Sequence, residues 1–353
     1  MCVVTFDWER NNAVRKFKAF NRSGSVSWAI LELTEYCNLN CKWCFANASR
    51  IKKPMHMPLD DVKRIVDTLA YEGVKQITYS GGEPTLYPYL KEAIAFAKDR
   101  EMVVHMNTNG YILTRRLAQE LKNSGLSQVQ INIDSTYPEK HDEIRGRKGS
   151  FKRAIKALEN ARDAGITCVS QTVLTNRNEG EVVDIFRLAR SIGVQRCRIW
   201  DMTPSEGCAK DNSHLIPKDY ISALQRLSDF AYHTGASMVE VGDPVFIPHI
   251  RTELEVSGGY CVFAAGLAMY ISRRGDVYFC CSSKNKMYNI FDAMKSGDRL
   301  SNIHINATRR YLSAFSQSST CNKCRYSSLC RGGCYTRREF SGNDTDYWCR
   351  INN

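Results

Sequence analysis

Several features are scarce in this 353-residue chain, and each scarcity excludes a class of protein. Its longest apolar run, from Cys261 to Ile271, is about half of the ~20 residues that a membrane-spanning helix requires. At the N-terminus, Asp7, Glu9 and Arg10 stand where a secretory signal would carry its apolar segment. No low-complexity tract interrupts the chain, and no repeat with a period of roughly 20–50 residues runs through it. With 43% hydrophobic and 24% charged residues, the composition is neither disordered nor fibrous. The expectation is a cytoplasmic globular protein with no membrane partner.

Cysteine and positive charge, by contrast, are abundant. The chain has 15 cysteines, and 49 Lys+Arg against 37 Asp+Glu give a formal charge of +12 with every thiol neutral. Disulfides are rare in a reducing compartment, so closely spaced cysteines point to metal binding or redox chemistry. At ~150 residues per domain the length suits two or three domains, although one α/β barrel can occupy ~200–250 residues.

From Trp28 to about Val241, short β-rich runs alternate with longer amphipathic runs, the pattern of βα units around a parallel sheet. The spacing predicts strands at Trp28–Thr34, Gln76–Ser80, Met102–Asn107, Gln128–Asp134, Ile166–Leu174 and Gln195–Asp201. Helices are predicted at Leu59–Tyr71, Tyr89–Arg100, Thr114–Ser124, Phe151–Ala164 and Glu179–Ile192, with a further helix-like run at Lys218–Thr234. Gly73, Gly125, Gly165 and Gly193 lie just past four of them, where a left-handed cap favours glycine. The fold class expected is α/β, a partial (β/α)6 TIM-like barrel, with an open doubly wound sheet as the alternative. After about Gly242 the helical periodicity fades and turn residues multiply, and eight of the fifteen cysteines lie at Cys261 or beyond. The expected organisation is an N-terminal arm over 1–27, a core over 28–241, and a small loop-rich, cysteine-rich domain over 242–353.

Directly after the first predicted strand comes Cys37-Asn38-Leu39-Asn40-Cys41-Lys42-Trp43-Cys44, a Cys-x3-Cys-x2-Cys triplet. Three thiolates from one loop can hold three irons of a 4Fe–4S cube and leave the fourth without a protein ligand, as a substrate-binding cluster needs. Zinc also takes thiolates, but structural zinc sites normally close with four ligands. The second predicted strand runs into Ser80-Gly81-Gly82-Glu83-Pro84. Two glycines there permit close backbone approach to a ligand, and Glu83 can take an ammonium group, whereas Gly-Gly alone reads more plainly as a tight βα turn.

Together, the triplet with an aromatic residue before its third cysteine and the following GGEP segment resemble the radical S-adenosylmethionine (SAM) superfamily, over about Trp28 to Val241. The resemblance implies that Cys37, Cys41 and Cys44 hold a cluster whose open iron chelates SAM. It further implies that Gly81, Gly82 and Glu83 bind the SAM amino group and that Trp43 lies beside the adenine. Asn132, Asp134 and Arg145, the last in the segment His141-Asp142-Glu143-Ile144-Arg145-Gly146, match positions that contact ribose and carboxylate in that family. A solvated loop arginine is the plainer reading of Arg145.

The C-terminal cysteines follow a stricter pattern: Cys261, Gly275 and Cys280, then Cys321-x2-Cys324-x5-Cys330-x3-Cys334, and finally Cys349. This register resembles the SPASM domain, which carries two auxiliary clusters in peptide- and sulfatase-maturing enzymes; a pair of zinc ribbons is the plainer alternative. The resemblance implies that Cys321, Cys324, Cys330 and Cys349 hold an outer cluster and Cys261, Cys280 and Cys334 an inner one, so that three 4Fe–4S clusters are present. Some relatives add an inner ligand six residues after the first cysteine, where this chain has Leu267. The inner cluster is then left with an open iron or recruits Cys281. Cys281 also stands where sulfatase maturases carry an aspartate general base, which argues against sulfatase maturation and makes Cys281, with Arg145, a catalytic candidate.

The chemistry implied is reductive cleavage of SAM to a 5′-deoxyadenosyl radical, hydrogen abstraction from an unactivated carbon, and oxidative modification of a peptide or protein side chain. Oxidation or decarboxylation of a carboxylate-bearing small molecule, such as a tetrapyrrole side chain, is the alternative. The ~27 residues ahead of the core are expected to be too few for the ~80-residue leader-binding domain of many peptide maturases. The basic pairs Arg145/Arg147, Arg273-Arg274, Arg309-Arg310 and Arg337-Arg338 are candidates for binding a carboxylate, an acidic peptide, or an acidic ferredoxin or flavodoxin donor, with a solvated surface as the plainer reading. A non-catalytic zinc-ribbon protein binding nucleic acid would suit the positive charge and the CxxC pair. It needs neither the triplet nor GGEP, and no RNA-binding aromatic motif or helix-turn-helix pattern is evident. Cys2, Cys168, Cys197 and Cys208 belong to no motif; Cys168 and Cys197 are expected to be small core residues, and His105 a satisfied interior histidine.

Overall fold

The computed structural model describes residues 26–46, 48, 53–203, 217–234, 239–241, 255–256, 261–315, 318–324, 326–346 and 349. Most of the arm expected at 1–27, with Cys2 and Cys208, lies outside the described residues. Six strands lie side by side in chain order, all parallel: β1 (Trp28–Thr34), β2 (Gln76–Gly81), β3 (Val103–Asn107), β4 (Leu126–Asn132), β5 (Thr167–Leu174) and β6 (Arg196–Asp201). Between and after them run α1 (Leu59–Tyr71), α2 (Leu90–Asp99), α3 (Arg115–Asn123), α4 (Pro138–Arg145), α5 (Ser150–Asp163), α6 (Val182–Ile192) and α7 (Pro217–Thr234). Parallel strands joined by helical crossovers make the partial α/β barrel that the alternation predicts.

The helices pack because each carries an apolar stripe. In α1, Val62, Ile65, Val66 and Leu69 recur at helical spacing, and all four are buried. The strands answer with alternate residues: Ala29, Leu31 and Leu33 of β1 join the core shared with the helices, while Trp28, Ile30 and Glu32 face the barrel interior. Cys168 and Cys197 are buried in the same helix-facing core, as expected. The interior is polar. Trp28 Nε1 donates to Thr78 Oγ1 at 2.9 Å, Gln128 meets His105 at 3.3 Å, and Arg198 reaches Glu240 through two nitrogens at 2.9 and 3.1 Å. Burial, with Arg198 and Arg196 nearby, pushes the His105 imidazole down to about 4, so this histidine is neutral.

β4 begins and ends two residues earlier than the spacing predicts. Leu126 supplies an apolar partner for Val104, and Asp134 leaves the ladder to accept a hydrogen bond from Val173 N at 3.1 Å. α4 has no counterpart in the predicted helices. It buries only His141 and Ile144, so it lacks a stripe, and its sequence signals are Pro138 in the first turn and Gly146 in a left-handed cap.

The sheet continues past residue 241. β7 (Val239–Val241) pairs in parallel with β6, and β8 (Glu255–Val256) with β7. At the opposite edge β9 (Ala268–Ile271) lies parallel to β1, followed by antiparallel β10 (Asp276–Tyr278) and β11 (Lys286–Asn289). An uncovered β1 would expose a row of unpaired backbone groups, and β9 satisfies them. Helices α8 (Ile290–Lys295), α9 (Leu300–Ser313), α10 (Ser319–Asn322), α11 (Ser327–Cys330) and α12 (Tyr335–Ser341) complete the described C-terminal region. Two buried side-chain links tie it to the barrel. Glu72, just past α1, accepts from Leu300 N and Ser301 Oγ at 3.1 and 2.9 Å, a carboxylate at the N-terminus of α9. Arg337 in α12, fully buried, reaches Asp201 at the end of β6 at 2.6 Å and Asp346 at 3.0 Å. Among the described residues, no helix is long and apolar enough to cross a membrane.

Candidate functional site

The cysteine triplet occupies the loop that leaves β1, clamped from two sides. From β2, Gly82 N donates to Thr34 O at 2.7 Å and Glu83 N to Tyr36 O at 2.9 Å. From α4, Arg145 O and Ile144 O accept from Asn40 N and Lys42 N at 3.2 and 3.0 Å. Both clamps require glycine: a Cβ on Gly82 would lie 2.2 Å from Tyr36 O, and one on Gly146, where φ is +65°, would lie 2.0 Å from Asn40 O. Gly81 and Gly82 thus serve the close approach of β2 to the cysteine loop itself. Cys37, Cys41 and Cys44 are all half-buried. Burial pushes the Cys37 thiol up to about 12, helped by the Glu83 carboxylate, and Cys41 to about 11 against the pull of Arg145. A metal that takes these sulfurs as thiolates must therefore displace protons from them.

Arg145 is no solvated loop residue. Its side chain is 12% exposed and pairs with the fully buried Asp134 at 3.3 Å. Burial opposes its charge, but Cys41, Asp134, Cys37 and Cys44 outweigh burial and hold the guanidinium above its ordinary value. Asn132, at the end of β4, hydrogen-bonds to the same Asp134, whose carboxyl burial raises. Trp43 packs against Ile144 and Met202, and its indole Nε1 is buried without a hydrogen-bond partner. An orphaned buried donor beside the loop is a place for a ligand acceptor.

Glu83, which the sequence suggests as a carboxylate that can take an ammonium group, is buried. It accepts from Thr85 N at 3.0 Å, Thr85 Oγ1 at 2.6 Å, Thr108 Oγ1 at 2.6 Å and Asn109 N at 2.7 Å. Three of these donors meet Oε1 and one meets Oε2, so Glu83 braces the ends of β2 and β3 while Oε2 keeps acceptor capacity.

A half-buried carboxylate, Glu32, is missing from the sequence reading. Glu32 of β1 and Tyr270 of β9 share a short hydrogen bond inside the barrel, and Arg273 N donates to the other Glu32 oxygen at 3.4 Å. Burial raises both groups, and Tyr270 also feels Glu32, Cys281 and Cys44. The pair thus lies near both the triplet loop, where Phe45 meets Tyr270 edge-on at 6.5 Å, and Cys281. A lone carboxylate within the apolar run of β1 was the available signal.

Among the C-terminal cysteines, the Cys280 thiol donates to Cys281, which holds Cys281 below and Cys280 above the ordinary value. Cys334 Sγ lies 3.0 Å from Thr336 Oγ1, and Cys280 hydrogen-bonds to the same threonine. Tyr335 stands in electrostatic reach of Cys261 and Cys330. Leu267 is buried against Val262 and Ala265, so the position six residues after Cys261 carries an apolar side chain with no donor atom. Cys321, Cys324, Cys330 and Cys349 line a single pocket with Thr320, Ser327, Gly332 and Thr345. Among the described residues, no three His, Cys, Asp or Glu side chains converge closely enough to hold one metal ion.

The basic pairs divide sharply. Arg337 and Arg338 are buried, Arg337 between two aspartates, so this pair is not the accessible patch that the sequence suggests. Arg145 faces the cysteines, and Arg273 lies 3.2 Å from Glu35. Arg309 and Arg310 are both exposed on α9.

Comparison with known proteins agrees with this geometry. Residues 31–189 match the Radical SAM superfamily. An AdoMet-dependent heme synthase of Nitratidesulfovibrio vulgaris strain Hildenborough is 27% identical over 327 residues, 88% of this chain and 87% of the relative. The mycofactocin maturase MftC of Mycolicibacterium smegmatis is 28% identical over 322 residues, 89% of this chain and 79% of the relative. Among solved structures, Streptococcus suis SuiB bound to S-adenosylmethionine shares the fold with a TM-score of 0.75 at 18% identity, covering 96% of this chain and 81% of SuiB. SuiB has also been solved with its precursor peptide SuiA.

Proposed function

Because this chain is a radical SAM enzyme with a cysteine-rich C-terminal region, we propose that it modifies a peptide or protein side chain oxidatively, with Cys37, Cys41 and Cys44 holding the cluster that binds SAM. The observation that carries the site assignment is the buried Arg145–Asp134 pair facing the triplet loop. The other cysteines extend it: Cys261, Cys280 and Cys334 form an inner auxiliary set and Cys321, Cys324, Cys330 and Cys349 an outer one, three 4Fe–4S clusters in total. The residues present suit these groups, since the outer four line one pocket and Trp43 leaves a buried donor unpaired beside the loop. We read the chain as a core over 28–241 and an auxiliary-cluster region over 242–353 that shares the core's sheet, working in the reducing cytoplasm.

With SAM bound, the core cluster would supply a 5′-deoxyadenosyl radical for hydrogen abstraction. The chain's own residues position and shield. Arg145 offsets negative charge at the loop and offers its guanidinium to a carboxylate. Gly81, Gly82 and Glu83 hold the loop over the ends of the strands, and Trp43, Ile144 and Met202 exclude water beside it. Asn132 keeps Asp134 oriented toward Arg145. Electrons come from an acidic ferredoxin or flavodoxin, which we place at the exposed Arg309-Arg310 pair.

The maturase relative MftC and the SuiB complex with a precursor peptide support the peptide reading. The heme synthase, which aligns over a larger share of its own length, supports a second: oxidation or decarboxylation of a tetrapyrrole carboxylate side chain. Anaerobically reconstituted protein given SAM and dithionite is expected to form 5′-deoxyadenosine; a colourless zinc protein that forms none overturns the core assignment. Mass spectrometry then separates the substrates: loss of two hydrogens from a peptide supports the first reading, and loss of carbon dioxide from a tetrapyrrole the second.

A further inference from the structure

The segment Thr108-Asn109-Gly110 at the C-terminal end of β3 belongs to none of the motifs above, yet it joins two of them. Asn109 N donates to Glu83 Oε2 at 2.7 Å, so the buried GGEP carboxylate anchors this backbone. Asn109 Oδ1 accepts from Tyr111 N at 2.8 Å. That bond orients the amide: its oxygen faces Tyr111, and its NH2 group faces the cysteine loop. There Nδ2 reaches Asn38 Oδ1 at 2.8 Å and Cys37 Sγ at 3.7 Å. Cys37 Sγ also accepts from Leu39 N at 3.5 Å. Glu83, buried just past β2, thereby fixes the donor that meets a cysteine of the triplet.

We infer that Asn109 is a positioning residue that sets the reduction potential of the SAM-binding cluster through its N–H···S bond to Cys37, an inference that rests on Cys37 being a ligand of that cluster. A donor on a ligand sulfur withdraws electron density. The reduced state carries one more negative charge than the oxidised state, so the bond favours reduction. Hydrogen bonds to charged acceptors exceed neutral ones, and the part that differs between the two redox states corresponds to about a fivefold change in the reduced-to-oxidised ratio. The neighbouring Asn38 takes the amide's other hydrogen and holds the group in place.

The test is an EPR-monitored redox titration of the anaerobically reconstituted full-length protein, using the signal that changes when SAM is added. Asn109→Asp keeps the shape and the acceptor for Tyr111 N but removes the donor; Asn109→Ala removes both. Asn38→Ala is the control, since it deletes the amide's other bond and leaves N–H···S intact. Both Asn109 variants are expected to have a more negative midpoint, with the reduced-to-oxidised ratio at the wild-type midpoint lowered about fivefold, iron content kept and Asn38→Ala unshifted. An unchanged midpoint in iron-loaded Asn109→Asp overturns the inference. So does an equal shift in Asn38→Ala, which would signify a general loop rearrangement, or loss of the SAM-responsive cluster from both Asn109 variants. Absence of any SAM-responsive signal in the unmodified protein would instead strike the ligand assignment.

Discussion

The two cysteine-bearing regions of this chain are assembled by opposite means. The loop of Cys37, Cys41 and Cys44 is clamped between β2 and α4 by backbone hydrogen bonds, over a sheet whose strands bury apolar residues against five helices and more. The pocket of Cys321, Cys324, Cys330 and Cys349 is framed by α10 and α11, helices of four residues each. Helices that short have no stability of their own. Their anchor is the buried Arg337, held between Asp201 of the barrel and Asp346, whose carboxylate also takes Cys334 N at 2.7 Å. The first site is carried by its scaffold, whereas the second depends on a few polar anchors and on whatever its cysteines bind.

Three experiments should break or sharpen that contrast most strongly. On the proposed count of three separate clusters, changing Cys37, Cys41 and Cys44 together to alanine is expected to abolish 5′-deoxyadenosine formation while about two-thirds of the iron remains; iron analysis beside the turnover assay checks both. Stripping all iron from the wild-type protein should expose residues 318–349 to protease well before residues 59–201, read by mass mapping of the fragments; simultaneous cleavage of both would contradict the contrast. Arg337→Met removes the buried cation that meets Asp201 and Asp346 and should cost about 3–5 kcal/mol in urea unfolding, part of which a further Asp201→Asn, Asp346→Asn exchange restores.

Two smaller effects test the join between the regions and the outer surface. His304 of α9 is buried, with Nε2 facing Ala268 O and Nδ1 facing the Tyr288 hydroxyl, both at 3.0 Å, and burial pushes its imidazole down to about 4. The unfolded chain takes up this proton near pH ~6.5 and the folded chain only near pH 4. Its contribution is therefore complete above pH ~6.5 and lost as pH falls toward 4, about 3 kcal/mol in all. Urea midpoints across that range should flatten in His304→Gln. At the far end of the scale, Glu120→Gln breaks exposed pairs with Arg116 and Lys91, and the thermal midpoint should not move.

Much of the barrel is legible along the chain. β1, α1 and β6 fall within a residue of their predicted bounds, since periodic burial leaves a local trace in the order of apolar residues. The Cys-x3-Cys-x2-Cys and GGEP segments mark the candidate site for a similar reason: a loop that gathers several sulfurs must space them closely. α4 escapes because its few buried residues make no stripe, and Asn109 because one amide at a strand end carries no periodic signal. The Thr108-Asn109-Gly110 turn directly after β3, at the end of the sheet where ligands bind, was the available clue.

By itself the sequence determined the alternation of strands and helices, the spacing of the cysteines and the family that both resemble, because these are properties of neighbours along a chain. Tertiary structure alone decided the direction of each charged group. It turned Glu83 inward onto four donors, buried Arg145 against Asp134, locked Arg337 between two aspartates, and set β9 of the cysteine-rich region on the edge of β1. A charge is costly to bury until a partner meets it, and those partners lie on elements far away in the chain, so only packing could settle which charges face solvent and which hold the site together.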